Sequence, residues 1–112
     1  MDDFLQIVNQ AVLERARSLH PKFGVRSDYN FFQDRIQIML YYGNTVCVVL
    51  RMPKDQSGIE YYSKKSVWIA VEASDPSINI EKLINKATDR TCGKIIKSRK
   101  TRKTPLSSNG SG

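Results

Sequence analysis

Residues 35–50 read RIQIMLYYGNTVCVVL, and the two halves of this stretch decide the fold class. In the first half, apolar side chains recur at every second residue, which is typical of a β-strand with one buried face. The second half is apolar almost throughout and predicts a central strand. Gly43-Asn44 separates the halves, and a two-residue Gly-Asn connection between such runs predicts a β-hairpin. The residues predicted to face the core from the first strand are Ile36, Ile38, Leu40 and Tyr42.

The segment before this hairpin begins with a helical pattern. Residues 2–19 carry apolar side chains at helical spacing and begin with two aspartates, which the macrodipole favours at a helix N-terminus. Pro21 and Gly24 are expected to end the helix. Residues 20–34 give no clear pattern, so a short strand and an aromatic-rich loop over the core both remain open.

The segment after the hairpin predicts one more strand and a second helix. Residues 59–71 predict a third strand that continues or restarts after a polar SKKS interruption. Asp75-Pro76 has the form of an N-cap followed by proline at the first helical position, and Gly93 is expected to end that helix. Ile95-Ile96 is a candidate short fourth strand. The predicted order is α–β–β–β–α, an antiparallel sheet with helices on one face, which is the α+β class.

The charge of this 112-residue chain is unevenly distributed. The formal net charge is +7, but residues 94–103 contain six of the 18 cations and no acid, which leaves 12 cations and 11 acids elsewhere. We therefore predict a near-neutral compact domain of residues 1–93 and a flexible, basic, Ser/Gly-rich tail of residues 94–112. This distribution favours phosphate binding by the tail and argues against a basic groove built by the fold. The candidate nucleic-acid-binding residues are Lys94, Lys97, Arg99, Lys100, Arg102 and Lys103.

Strand alternation also predicts an aromatic outer face on the sheet. Neighbouring residues in a strand point to opposite faces, so Trp68 lies outside if Val67 and Ile69 face the core. Such a face is a candidate surface for base stacking or for a protein partner. In the alternative, residues 23–32 cover this face and make it a second core layer. The candidate residues of the face are Arg35, Met39, Tyr41, Lys64 and Trp68.

The sequence lacks the residue patterns of an enzyme. Its one histidine, His20, lies at a helix end, where a capping or solvated role is favoured over general-base catalysis. The glycines are scattered singly, so no phosphate-cradling loop is indicated. Glu60 and Glu72 suggest a metal-dependent nuclease, but a solvated charged rim is the favoured interpretation. We expect no enzymatic activity, no cofactor and no bound metal.

The cysteines and the apolar runs bear on localisation. Cys47 and Cys92 lack the spacing of a zinc site or a disulfide framework, and Cys47 is expected to be inert core. The longest apolar run, residues 45–50, is far shorter than the roughly 20 residues that cross a bilayer. The sequence therefore predicts a cytoplasmic, reducing location without membrane association.

Two family resemblances accompany these patterns. The α–β–β–β–α order resembles that of the double-stranded-RNA-binding domain, although only Lys82 and Lys86 stand where that family has a basic cluster. SVWIAV (66–71) and CGKIIK (92–97) are similar to parts of small phycobilisome linkers, basic proteins that bind acidic pigment subunits, although the paired glycine of that family is missing. Neither resemblance assigns a family.

Two functional hypotheses follow from the charge and the aromatic face. The favoured one is a small non-enzymatic nucleic-acid-binding accessory protein, whose basic tail contacts phosphates of DNA or RNA while the sheet face contacts bases or a partner. The alternative is a structural or adaptor subunit, linker-like or from a viral assembly, that docks on an acidic protein surface.

Overall fold

The computed structural model describes the backbone of residues 3–108 and the side chains of residues 3–99. Each strand pairs antiparallel with the next along the chain, so that the sheet order is β1-β2-β3-β4-β5. The predicted α+β class is confirmed, with two more strands than the three predicted. The elements are α1 (Phe4–Leu19), β1 (Gly24–Asn30), β2 (Arg35–Tyr42), β3 (Thr45–Met52), β4 (Gly58–Tyr62), β5 (Trp68–Glu72) and α2 (Ile80–Ser108).

The β2–β3 hairpin forms as its sequence predicts. Tyr42 pairs with Thr45 across the two-residue turn, and Gly43 has a φ of +61°, the left-handed value that the first residue of such a turn requires. Farther along, the register shifts between Ile38 and Met39, because β3 contains one more residue than β2 at this point. This β-bulge interrupts the alternation along β3, where the consecutive residues Val49 and Leu50 both join the core. Met39, predicted to lie outside, is only 9% exposed.

Residues 20–34, which gave no clear pattern, contain β1 and the turn that follows it. β1 pairs with β2 along its whole length, from Gly24 opposite Tyr41 to Asn30 opposite Arg35. The turn carries two phenylalanines that project into solvent, Phe31 at 79% and Phe32 at 95% exposure. This segment therefore does not cover the outer face of the sheet, and the second core layer considered above is wrong.

The predicted third strand is two strands. β4 and β5 pair from Gly58 opposite Glu72 to Tyr62 opposite Trp68, and the polar SKKS stretch forms the turn between them. In this turn Ser66 adopts a φ of +64°, and the amide of Ser63 donates to the carbonyl of Val67 at 2.8 Å. Of the two predicted possibilities, continuation or restart after this interruption, the chain restarts in the opposite direction.

Both helices pack on the same face of the sheet. α1 begins at its N-cap Asp3, whose side chain accepts a hydrogen bond from the amide of Gln6 at 2.9 Å. Leu19, the last residue of α1, is 47% exposed. α1 lies over β1 and α2 lies mainly over β3. The core between the layers includes Val8, Val12, Ala16, Phe23, Ile38, Leu40, Leu50, Met52, Ile59, Ile84, Cys92 and Ile95.

The start of α2 lies later than predicted. Asp75 accepts hydrogen bonds from the amide and the hydroxyl of Ser77, so it caps a turn rather than the helix. Asn79 takes the capping role instead, since its side chain accepts from the amide of Lys82 at 3.0 Å. The helix begins at Ile80.

The end of α2 also differs from the prediction. The helix continues through Gly93 to Ser108, so the predicted stop at Gly93 and the predicted strand at Ile95-Ile96 are both wrong. Glycine costs a helix interior about 1 kcal/mol relative to alanine, whereas burial of an isoleucine side chain contributes about 1.5–3 kcal/mol. Ile95 is 1% exposed, so its burial outweighs the glycine. The division into residues 1–93 and 94–112 stays a prediction, and its boundary falls inside α2.

Candidate functional site

A line of positive charge runs along the solvent side of α2. Lys82, Lys86, Arg90 and Lys94 follow one another at intervals of four residues, and Lys97 comes three residues later. At about 3.6 residues per turn this spacing places all five on one face, here called the α2 cation stripe. Like charges at this spacing destabilise a helix by a few tenths of a kcal/mol per pair. Helix stability therefore does not explain the stripe.

The acid nearest to the stripe is neutralised by the other helix. Asp89 accepts hydrogen bonds from Nε and Nη2 of Arg15 at 2.7 and 2.8 Å, a bidentate pair between α1 and α2. This hydrogen bonding raises the pKa of Arg15 above its ordinary value. Because Arg15 occupies both oxygens of Asp89, the carboxylate does little to offset the charge of the stripe.

A cleft of about 380 Å³ opens between α2 and the β4–β5 hairpin. It forms because α2 lies over β3 and leaves the helix-facing side of β5 uncovered. Ile69, on that side of β5, is accordingly 37% exposed. None of the described residues that line the cleft is acidic. Its floor includes Val49, Ile69, Leu83 and Ala87, the aromatic residues in its lining are Tyr61, Tyr62 and Trp68, and its rim carries Lys64, Lys86, Arg90 and Lys94; we call it the α2–β5 cleft.

Polar and aromatic contacts fix the two walls of the α2–β5 cleft relative to each other. Nη1 of Arg90 donates to the carbonyl of Tyr62 at 2.8 Å, which ties α2 to the end of β4. The rings of Tyr62 and Trp68 meet edge to face with centroids 5.2 Å apart. Nζ of Lys94 lies 6.0 Å from the ring centroid of Tyr62. The site therefore combines ordered aromatic rings with nearby cations.

On the outer face of the sheet, a buried carboxylate positions the arginine that contacts Trp68. Glu60 is 7% exposed and accepts hydrogen bonds from Nε of Arg35 at 3.1 Å and from Nε of Arg51 at 2.9 Å. The guanidinium of Arg51 lies 4.2 Å from the ring centroid of Trp68. Glu60 is thus a buried, doubly paired carboxylate, and its interpretation as part of a solvated rim is wrong.

The residues of the predicted outer face take part in different contacts. Lys64 and Trp68 come together at the α2–β5 cleft. Nε of Arg35 donates a hydrogen bond to Glu60, and Met39 is buried. Tyr41 is 39% exposed, with its ring against Gly24 of β1.

The predicted basic residues are only partly described. Lys94 lies on the rim of the cleft and Lys97 on the stripe. The guanidinium of Arg99 stacks 4.7 Å from the ring centroid of Tyr42 and donates to the Tyr42 carbonyl at 3.4 Å. The side chains of Lys100, Arg102 and Lys103 lie outside the described residues.

Sequence reasoning did not recognise that the cations that precede Gly93 form one groove. Lys86 and Arg90, together with Lys64 of the β4–β5 turn, give the fold the basic groove that the near-neutral charge of residues 1–93 argued against. The four-residue interval from Lys82 to Lys94 was the available signal. A net charge cannot detect such a groove, because it averages over faces that the fold separates.

The histidine and the cysteines take structural positions. His20 follows α1 as its C-cap, and its Nδ1 accepts from the amide of Lys22 at 3.2 Å, so that Nε2–H is left to donate to the hydroxyl of Tyr42 at 3.3 Å. Cys47 packs against the core, and burial raises the pKa of the Cys92 thiol to about 11. Within residues 3–99, no three or more histidine, cysteine, aspartate or glutamate side chains cluster as metal ligands would.

No helix in the described part of the chain has both the length and the apolar character needed to cross a membrane. Comparisons of the chain with protein-family models, with curated proteins and with solved structures gave no match. The functional argument therefore depends on the geometry of the α2 cation stripe and the α2–β5 cleft.

Proposed function

We propose that the protein is a small non-enzymatic nucleic-acid-binding accessory protein that holds phosphates along the α2 cation stripe. One observation carries the proposal: four cations surround the aromatic α2–β5 cleft, and no described residue in its lining is acidic. Cations that neutralise phosphates release condensed counterions, which gives affinity without sequence preference.

The length of the stripe suits a polyanion. Lys82 and Lys97 are 15 positions apart, so at about 1.5 Å per residue the stripe extends for roughly 22 Å. Successive phosphates of one strand advance by about 3.4 Å along a duplex, so a stripe of this length can follow about six of them. A small anion would use only one or two of these cations.

The test compares two triple variants with equal loss of charge. Lys64→Ala, Lys86→Ala and Lys94→Ala remove exposed cations at the cleft and leave the Arg90 contact with Tyr62 intact. The control removes three exposed cations elsewhere: Lys22, Arg26 and Lys54, each also changed to alanine. Binding to labelled DNA and RNA is measured by fluorescence anisotropy between about 50 and about 200 mM salt.

We expect the cleft variant to flatten the log–log salt slope by about 2–3 units, since each lost phosphate contact removes about 0.7–0.9. The control should change the slope little. Equal slopes in the two variants, or no micromolar binding of the wild type at low salt, would reject the proposal.

The adaptor hypothesis keeps one observation in its favour. Phe31 and Phe32 form an exposed edge-to-face pair, with centroids 6.1 Å apart, on the turn at the opposite end of the sheet from the cleft. Exposed aromatic pairs are typical of protein-docking surfaces. In this second candidate function, Phe31→Ser with Phe32→Ser abolishes binding to an acidic protein partner and leaves nucleic-acid affinity unchanged.

A further inference from the structure

We infer that the α2–β5 cleft receives an unpaired base, so that the protein prefers single-stranded nucleic acid to a duplex. This inference rests on the proposed function and adds a substrate class to it. It starts from a property that phosphate binding does not need: the cleft has an apolar, aromatic interior behind its cations.

The interior has the size and character of a site for a small planar group. Ligand pockets in proteins enclose about 300–1,000 Å³ and are mostly apolar with a few polar groups, and the cleft encloses about 380 Å³. Ile69 and Leu83 form apolar surface within it, while Tyr62 remains 39% exposed beside Trp68. Aromatic rings next to cations are how proteins bind single strands without reading sequence, because every base has a face that stacks.

The rim is charged on both sides of this interior. Lys64 belongs to the β4–β5 turn, whereas Lys86 and Lys94 belong to α2. A nucleotide whose base enters between the two walls therefore has cations within reach of the phosphates before and after it. A paired base cannot enter in this way, because in a duplex it is stacked between its neighbours and bonded to its partner strand.

Trp68 supplies a direct reporter, since it lines the cleft and is the one tryptophan of the chain. Oligothymidylate is titrated against the 112-residue protein while Trp68 fluorescence and the anisotropy of the labelled oligonucleotide are recorded. A duplex of the same length is the comparison. We expect the single strand to quench Trp68 as it binds, and the duplex to bind more weakly without quenching.

A cleft-filling variant separates base binding from charge. Ala87→Leu adds three carbon atoms to the floor and keeps every cation, and leucine is compatible with a helix. We expect it to weaken oligothymidylate binding about tenfold, the size of one lost base–aromatic stack, and to leave duplex affinity unchanged. Ala73→Leu makes the same change at an exposed position outside the cleft and should alter neither the affinity for oligothymidylate nor that for the duplex. The wild-type titration decides the question even if Ala87→Leu fails to fold.

The outcomes distinguish this inference from the proposed function. Equal affinity for both nucleic acids with no quenching of Trp68 overturns the base site and leaves phosphate binding standing. If neither the single strand nor the duplex binds, both the base site and the proposed function are overturned. If polyglutamate competes as effectively as oligothymidylate, the site binds charge alone. If oleate quenches Trp68 and oligothymidylate does not, the site binds an anionic amphiphile. Either result overturns the inference.

Discussion

Replacement of Ile95 by alanine tests whether the part of α2 beyond Gly93 belongs to the core. The side chain is 1% exposed and packs with the buried cluster under the sheet. The change removes three carbon atoms, and at about 0.8 kcal/mol for each buried carbon the transfer cost is about 2.4 kcal/mol. The cavity left behind adds to this, so we expect a loss of about 3 kcal/mol in the free energy of unfolding. For a domain of this size the melting temperature should fall by about 10–15 °C.

The matched control is the same substitution on the surface. Ile7 of α1 is 53% exposed, so Ile7→Ala should change stability by less than about 0.5 kcal/mol. Both variants are measured by urea denaturation and by thermal melting followed by circular dichroism. Similar losses for the two variants would mean that Ile95 does not pack in the core. A fragment of residues 1–93 would then be expected to fold, as the sequence-based boundary predicts.

Two further predictions concern α2. At Gly93, the Cβ that alanine would add meets no neighbouring heavy atom within 4 Å. Gly93→Ala should therefore raise the melting temperature by a few degrees, because alanine has the better helix propensity. A fall in the melting temperature would indicate that the helix ends there with a left-handed glycine. Gly58→Ala is its contrast and should destabilise, because the added Cβ would collide with the carbonyl of Val71. The Cys92 thiol has a pKa of about 11 in the folded protein against its ordinary 9.0, so the folded state keeps a proton that the unfolded state releases, and stability should fall as pH rises from 9.0 towards 11. Melting curves across this interval should show a shallower decline for Cys92→Ala, and identical declines would contradict the burial of the thiol.

Local patterns were sufficient for the elements that local chemistry determines. The Gly43-Asn44 turn and the alternation around it predicted the β2–β3 hairpin, and the apolar spacing of residues 2–19 predicted α1. The prediction that α2 ends at Gly93 was wrong, because the burial of Ile95 outweighs the local stop signal of the glycine. The apolar residues Ile84, Cys92 and Ile95 continue at helical spacing on both sides of the glycine, and this longer pattern was the better guide.

The candidate site was less accessible to sequence reasoning because it depends on which surfaces the fold leaves uncovered. Lys64 and Trp68 were identified on a strand face, and Lys94 in a tail, without a sign that they share a cleft. Their meeting follows from the position of α2 over β3, which strand alternation does not determine. Met39 is likewise only 9% exposed, although simple alternation had placed it in solvent.

The order of elements along the chain has a consequence for synthesis on the ribosome. The meander pairs each strand with the one made just before it, so its hairpins can close through contacts that are short in sequence. α2 is made after all five strands, yet it covers β3 and binds α1 through Arg15 and Asp89, which are 74 residues apart. Until α2 emerges, the apolar face around Leu50 stays open to other nascent chains. Slow translation of residues 80–99 should therefore expose the growing protein to aggregation more than a pause at any earlier hairpin.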